Sequence, residues 1–298
     1  MSHPSFLLSL DRWLARSLPG HTLKDVYTRG MRRVAEHTPF TGQGAVRTLY
    51  GFNIATDRRD AIKWYLHYFS VWEPQISEAW ARILPKGGTV LDIGGNIGYH
   101  ALLAAKLVGP TGRVITFEPS KRIFEQLESN IALNGFTNVE PIRAAVSDHG
   151  GTAEFHLMPD NEQGLGSLFP HEGAVRTEIV NLVTFEDIAA MVDMRTVDLV
   201  KIDVEGAEAL LVSGMAGYDF GPHCVIFIEV SPSETATELL APLLAKGFHA
   251  RRLENEYRTR FYQSSGKVRF SPLAPGSGSL QDVVLCKDPS RFDQIADQ

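Results

Sequence analysis

Cysteine is scarce in this sequence. Only Cys224 and Cys286 occur among 298 residues, and each lies in a separate apolar run typical of a buried strand. A disulfide framework or a cysteine-based zinc site needs more cysteines at closer spacing. We therefore interpret both as small core residues, which favours a protein of a reducing compartment.

Long apolar runs are also missing. A membrane-spanning helix needs about 20 consecutive apolar residues, and no segment approaches that length. The apolar stretch at residues 6–10 is interrupted at once by Asp11 and Arg12, which is not typical of a signal peptide. The sequence thus predicts no transmembrane segment and a cytoplasmic location.

Positive charge is in deficit overall, and it is unevenly spread. Lys and Arg number 29 against 35 Asp and Glu, which gives a net charge of −6. Residues 1–60 hold nine basic and five acidic side chains, so they carry +4 and the remainder −10. A nucleic-acid surface needs a basic footprint, so we expect no nucleic-acid partner. The basic extension either attracts an anionic substrate or, as we favour, is a solvated helix face.

Length and composition allow one large domain with an extension, since 44% of the residues are hydrophobic. Residues 1–80 are predicted to form a mostly helical N-terminal cap, with a short hairpin over Val46–Ile54. The first helix is amphipathic and could lie on a membrane surface, although packing on its own domain is favoured. Residues 81–298 form the second predicted domain, and a homo-oligomer remains open.

From Gly88 onward, apolar strand-like runs alternate with helical ones. This alternation predicts an α/β fold with a mostly parallel, doubly wound sheet. The last two runs follow one another without an obvious helix, which indicates an antiparallel edge strand. The principal predicted strands are Thr89–Ile93, Arg113–Phe117, Val139–Val146, Ala153–Met158, Glu178–Leu182, Val197–Val204, Cys224–Val230, Phe248–Leu253 and Gln281–Lys287.

A glycine-rich turn follows the first of these strands. Gly94, Gly95 and Gly98 let the backbone bend sharply and approach a ligand, and Asp92 precedes them by two positions. The spacing differs from the dinucleotide fingerprint, because Asn96 stands where the second glycine would be. The acid instead places a carboxylate beside positive groups of the ligand.

Two further strand ends complete a nucleoside-type site. Glu118 closes the next strand, where a carboxylate can accept hydrogen bonds from both ribose hydroxyls. Ser147 leaves the third strand after Val146 and can hydrogen-bond an adenine edge, although a polar residue leaving a strand is an equally good interpretation.

Three charged residues alternate with apolar ones at a later strand. Lys201, Asp203 and Glu205 are predicted to share one strand face that would otherwise be core. Burying unpartnered charges is costly, so a purely structural strand would not favour this pattern. We expect these residues to border the ligand crevice, with Asp203 as the first candidate for a functional acid.

These motifs together resemble the FkbM family of methyltransferases. The resemblance implies a Rossmann-like class I methyltransferase fold with seven strands and S-adenosylmethionine as cofactor. It places the glycine turn and Asp92 at the methionine part, Glu118 at the ribose, Val146 and Ser147 at the adenine, and Glu73 near the amino group. Relatives commonly have Ala at Gly95. The residues that carry the resemblance are Leu91–Gly98, Phe117–Pro119, Asn130–Asn134 and Lys201–Glu208.

The expected chemistry is methylation of a hydroxyl on a small molecule such as a sugar or secondary metabolite. Asp203 is the candidate base and Glu205 the second, while His156 and His171 are weaker alternatives. Asp203 and Glu229 together could hold Mg²⁺, but two ligands are weak support, so no metal is predicted.

Three other functions remain open from the sequence. A nicotinamide-dependent oxidoreductase would share the sheet, but its second glycine is missing. A non-catalytic cofactor-binding module would not need the charged residues of Lys201–Glu205. A nucleic-acid methyltransferase is disfavoured by the acidic charge of the second domain and by the lack of an Asn/Asp-Pro-Pro-aromatic motif.

Overall fold

The fold was obtained as a computed structural model of the whole chain. The residues it describes are 10–15, 17–19, 21–37, 44–57, 60–159, 166–170, 173–231, 235–254, 267–273 and 280–296. All structural statements below concern these ranges.

Strands occur in three sheets within the described ranges. In chain order they are β1 Gly44–Arg47, β2 Asn53–Thr56, β3 Thr89–Ile93, β4 Arg113–Phe117, β5 Val139–Ile142, β6 Ala145–Val146, β7 Gly151–Leu157, β8 Arg176–Val183, β9 Val197–Ile202, β10 Val225–Val230, β11 His249–Leu253, β12 Phe270–Ser271 and β13 Gln281–Cys286.

Helices lie between most of these strands, and residues 10–15 are also helical. The helices with assigned bounds are α1 His21–His37, α2 Ala61–Phe69, α3 Pro74–Ile83, α4 Tyr99–Val108, α5 Lys121–Asn134, α6 Phe185–Met191, α7 Glu208–Met215, α8 Ala236–Leu244 and α9 Ser290–Ile295. In the described part of the chain, no helix has both the length and the apolar character needed to cross a membrane.

The central sheet has the order β12-β11-β13-β10-β9-β3-β4-β5. The five strands from β10 to β5 are parallel, which confirms the predicted α/β class and the mostly parallel sheet. Two strands run antiparallel to these five: β13, which lies between β10 and β11, and β12, which pairs with β11 at the edge of the sheet. The predicted antiparallel edge strand is thus confirmed, although the last predicted strand, β13, lies inside the sheet. The structure also adds an eighth strand, β12, whose two residues are too few to give a periodic signal.

Helices cover both faces of this sheet. Helices α3, α4, α5 and α9 pack on one face, around Trp80, Leu102 and Phe227. Helices α6, α7 and α8 pack on the other, around Ile202 and Leu240. Both faces therefore bury apolar side chains, which explains why the central strands are nearly continuous apolar runs.

The predicted strand Val139–Val146 is wrong as a single element. Strand β5 ends at Ile142, and a tight turn follows in which the Ala144 N–H donates to the Ile142 carbonyl at 3.0 Å. Ala145 and Val146 then pair with β8 in a separate sheet of order β6-β8-β7. Apolar residues stand on both sides of this turn, so the pattern along the chain does not reveal the change of sheet.

The N-terminal part shares its core with the sheet-bearing part. The predicted hairpin is confirmed as β1 and β2, and Phe52 and Ile54 belong to the same apolar cluster as α4. Two asparagines of α5 hold β2: Asn130 Oδ1 accepts from the Ala55 N–H at 2.9 Å, and Asn134 Oδ1 accepts from the Asn53 N–H at 2.7 Å. These motif asparagines thus have a structural role. The division near residue 80 stays a prediction.

Candidate active site

A cleft of about 580 Å³ opens at the carboxyl ends of β3, β4 and β9. Six residues singled out from the sequence line it: Gly94, Asn96, Glu118, Val146, Asp203 and Glu205.

The glycine turn brings backbone, not side chain, to the floor of the cleft. Gly94 has φ +88°, and a Cβ there would overlap the Asp203 carbonyl oxygen. Gly98 has φ +91° and precedes the first residue of α4. Asn96 lines the cleft in a left-handed conformation, φ +48°, which is strained for a residue with a Cβ. Any residue but glycine at position 94 would therefore push the turn away from the sheet.

Asp92 lies beneath this turn and does not line the cleft. Its side chain is fully buried, and its Oδ2 accepts a hydrogen bond from the Thr116 hydroxyl at 2.9 Å. Burial raises the pKa of Asp92, while the Lys201 ammonium opposes this shift. A Cβ on Gly95 would overlap the same Thr116 hydroxyl. Asp92 therefore supports the turn from inside the sheet, and the structure does not show the expected position beside the ligand.

Glu118 faces the cleft from the end of β4. Its Oε2 accepts from the Asn96 N–H and its Oε1 from the Ser120 N–H, both at 2.9 Å. Burial raises the pKa of Glu118 to about 7, although both amide hydrogen bonds favour the charged form. A carboxylate fixed by two amides keeps its remaining lone pairs for a ligand.

Of the two residues predicted to contact the adenine, Val146 lines the cleft and Ser147 does not. Val146 lines it, together with Ala144 and Ala145. Ser147 is buried: its N–H donates to the Val183 carbonyl at 2.8 Å, and its hydroxyl donates to Asp148 Oδ1 at 3.2 Å. The side chain of Ser147 thus forms its hydrogen bond within its own loop.

Lys201, Asp203 and Glu205 do not share a strand face, because β9 ends at Ile202. The Asp203 N–H donates to the Ile93 carbonyl at 3.0 Å, which joins the chain after β9 to the end of β3. Lys201 Nζ lies 2.9 Å from Asp203 Oδ2; the Lys201 side chain is buried and that of Asp203 is partly exposed. Glu205 has φ +53° and projects from a strained turn. Asp203 and Glu205 nevertheless border the cleft, as expected, whereas Lys201 does not line it.

The pKa values of Asp203 and Glu205 are shifted in opposite directions. Burial acts to raise the pKa of Asp203, but the Lys201 ammonium and a hydrogen bond with Glu229 together outweigh it, and the pKa is lowered. Burial and the neighbouring Asp203 charge raise the pKa of Glu205 to about 8. Asp203 is therefore ionised at neutral pH, whereas Glu205 is largely protonated.

A second cavity of about 280 Å³ adjoins the cleft, and Asp203 lines both. Its other polar lining residues are Glu73, Lys201, Glu229 and Asp282. Glu73, predicted to approach the cofactor, is thus placed in this cavity and not in the main cleft. Asp282 was missed from the sequence, because its position depends on β13 running antiparallel beside β10.

Three carboxylates offer a candidate cation site. Asp203, Glu205 and Glu229 each present one oxygen, and these oxygens lie within 4.8 Å of one another. They would supply three of the six or more oxygen ligands that Mg²⁺ or Ca²⁺ takes. The Lys201 ammonium already occupies one oxygen of Asp203.

Ser167 is a further residue that sequence reasoning missed. It is buried, and its hydroxyl donates to the Glu205 carbonyl at 2.7 Å while accepting from the Phe169 N–H at 3.1 Å. Ser167 thereby ties the strained turn at Glu205 to the segment opposite β7. His156 lies on β7 and pairs there with Ser167 through the backbone, and His171 falls outside the described residues.

The chain is similar to known methyltransferases. A family model described as the methyltransferase FkbM domain matches residues 92–253, more than half of the chain. Methyltransferase sdnD of Sordaria araneosa is 26% identical over 206 residues, which cover 58% of this chain and 78% of that protein. The protein-L-isoaspartate O-methyltransferase of Methanococcus aeolicus is 44% identical over 59 residues, 20% of this chain and 27% of that protein. The solved structure of M. jannaschii TYW2 in complex with AdoMet has a TM-score of 0.43 at 16% identity and covers 82% of this chain and 84% of that chain.

Proposed function

Because the chain belongs to the FkbM methyltransferase family, we propose that it methylates a hydroxyl oxygen of a small molecule, such as a sugar or another secondary metabolite. S-adenosylmethionine is the methyl donor of this family. A cytoplasmic location and a small, non-nucleic-acid acceptor are parts of the same proposal.

The cleft residues fit this cofactor. Gly94 brings bare backbone to the cleft, packed so closely on the Asp203 carbonyl that no Cβ fits there, and Glu118 presents a carboxylate already fixed by the Asn96 and Ser120 amides. We assign Glu118 to the ribose hydroxyls, Val146 to the adenine face, and the backbone around Gly94 to the methionine part. This juxtaposition of a bare backbone turn and a carboxylate at neighbouring strand ends is the observation that carries the proposal.

The cofactor, when bound, supplies a methyl group on a positively charged sulfur. The protein's part is to hold the acceptor hydroxyl in line with that methyl group and to take up its proton. Asp203 is suited to the second task, because it lies at the junction of the two cavities and Lys201 keeps it ionised. The Lys201 ammonium also fixes the direction of the carboxylate, so Lys201 is a positioning residue.

Asp203→Asn tests this assignment. The substitution preserves shape but removes the proton acceptor, so we expect turnover to fall by about 10²–10⁴-fold. Cofactor affinity should be retained. The measurement is S-adenosylhomocysteine formation with a panel of hydroxylated metabolites, alongside calorimetric titration of S-adenosylmethionine. Undiminished turnover in Asp203→Asn would remove Asp203 from the base role, and Glu205→Gln would then be the next variant to test.

A further inference from the structure

The two N-terminal helices expose apolar side chains to solvent. Twelve large apolar side chains are exposed in the described ranges, and half of them lie between residues 10 and 34. Isolated exposed apolar residues are ordinary, whereas a concentration of them marks a surface that binds a partner. The N-terminal apolar surface, as we call it, consists of Leu10, Trp13 and Leu14 in the helix of residues 10–15 and of Leu23 and Val26 in α1.

Both helices already pack on the domain through their other faces. Ala15 of the first helix is buried in a cluster with Trp64, and Tyr27 and Met31 of α1 pack against the same cluster. The Tyr27 hydroxyl also donates to Asp11 Oδ1 at 2.8 Å, which joins the two helices. Within the described ranges, the inner faces of these helices are therefore covered by the chain itself, and the N-terminal apolar surface is not.

The spacing of the exposed residues gives each helix an apolar outer side. Those of the first helix are three and four positions apart and those of α1 three apart, so each group lies on one side of its helix. Arg33 is exposed and follows Val26 by seven positions, or two turns, so it lies on the same side of α1. The outer side of α1 thus combines apolar side chains with a guanidinium group.

The charge of this part of the chain is opposite to that of the rest. Residues 10–37 hold six basic and three acidic side chains and carry +3, whereas the remainder carries −9. One of the three acids, Asp11, is buried against the Tyr27 and Tyr68 hydroxyls and is not at the surface. A second copy that docked through the same surface would bring like charges together. A surface of anionic lipids matches both the apolar and the basic character.

We propose that the N-terminal apolar surface binds a membrane surface that contains anionic lipids. Trp13 and the leucines enter the boundary between headgroups and acyl chains, while Arg33 contacts the headgroup phosphates. The helices lie on the membrane without crossing it, since no described helix has the length and apolar character to span one. The residues that line the cofactor cleft begin at Ile93, so this attachment is separate from methyl transfer.

Co-sedimentation with lipid vesicles tests this proposal. We expect the protein to sediment with phosphatidylcholine vesicles that contain phosphatidylglycerol, not with phosphatidylcholine alone, and to be released as the salt concentration rises. Leu23→Gln should weaken binding about tenfold, because it removes an apolar side chain from the interface. Arg33→Gln should weaken it about fivefold. Ile179→Gln is the matched control: Ile179 lies on β8, is 69% exposed, and its loss should leave binding unchanged.

The melting temperature of each variant, followed by circular dichroism, shows that it folds, and Arg33→Gln carries the test if Leu23→Gln is unstable. No sedimentation with phosphatidylglycerol vesicles would overturn the proposal, as would equal sedimentation with phosphatidylcholine alone. An equal loss of binding in Ile179→Gln would show that another surface binds the lipid. A dimer in light scattering that dissociates in Leu23→Gln would assign the N-terminal apolar surface to a second copy of the chain instead.

Discussion

Glu118 provides a test of the cofactor site that needs no acceptor. Burial raises its pKa to about 7, so its charge changes within the range accessible to binding experiments. Only the ionised carboxylate can accept hydrogen bonds from both ribose hydroxyls. Cofactor affinity should therefore be highest above pH 7 and fall as the pH drops through that value.

The magnitude follows from the fraction of ionised carboxylate. If only the charged form binds, affinity falls by about tenfold between pH 8 and pH 6, which corresponds to about 1.4 kcal/mol. Glu118→Gln removes the titration and one charge-assisted acceptor. We expect this variant to bind the cofactor about 1–3 kcal/mol more weakly at pH 8 and to show little change in affinity toward pH 6.

The assay is calorimetric titration of S-adenosylhomocysteine, whose sulfur is uncharged, at several pH values between 6 and 8. Glu205 also titrates in this range, since its pKa is raised to about 8, so Glu205→Gln serves as the matched control. That variant should keep the pH dependence due to Glu118. Equal slopes in the unaltered protein and in Glu118→Gln would refute the assignment, and so would affinity that rises as the pH falls.

Two further predictions concern the scaffold of the site. Gly95→Ala should destabilise the fold by about 1–3 kcal/mol, because its Cβ overlaps the Thr116 hydroxyl. Thr116→Ala should lower the free energy of unfolding less in the Gly95→Ala variant than in the unaltered protein. Purely additive effects on the free energy of urea unfolding would contradict the overlap. Ser167→Ala should cost about 1–3 kcal/mol, since it leaves the Glu205 carbonyl and the Phe169 N–H without their buried partner. A free energy of unfolding within about 0.5 kcal/mol of that of the unaltered protein would show that Ser167 does not hold this turn.

The sequence by itself determined the α/β class, the glycine turn and Glu118. These are local features: a strand, a tight bend and a helix each leave their own periodicity within a few residues. Because the carboxyl ends of parallel neighbouring strands meet at one edge, the sequence also predicted that Asp203 and the glycine turn would be close. The family motif strengthened the same conclusion through residues that lie consecutively along the chain.

Only the tertiary structure decided which residues distant in sequence meet at the site. Asp282 joins Glu229 because β13 inserts antiparallel beside β10, a pairing between segments more than 50 residues apart. Ser167 meets the Glu205 turn through a packed loop, and Asp92 is withdrawn from the cleft because Thr116 of the next strand holds it. Such contacts depend on strand order and on burial, which are properties of the packed chain and leave no periodic trace along it.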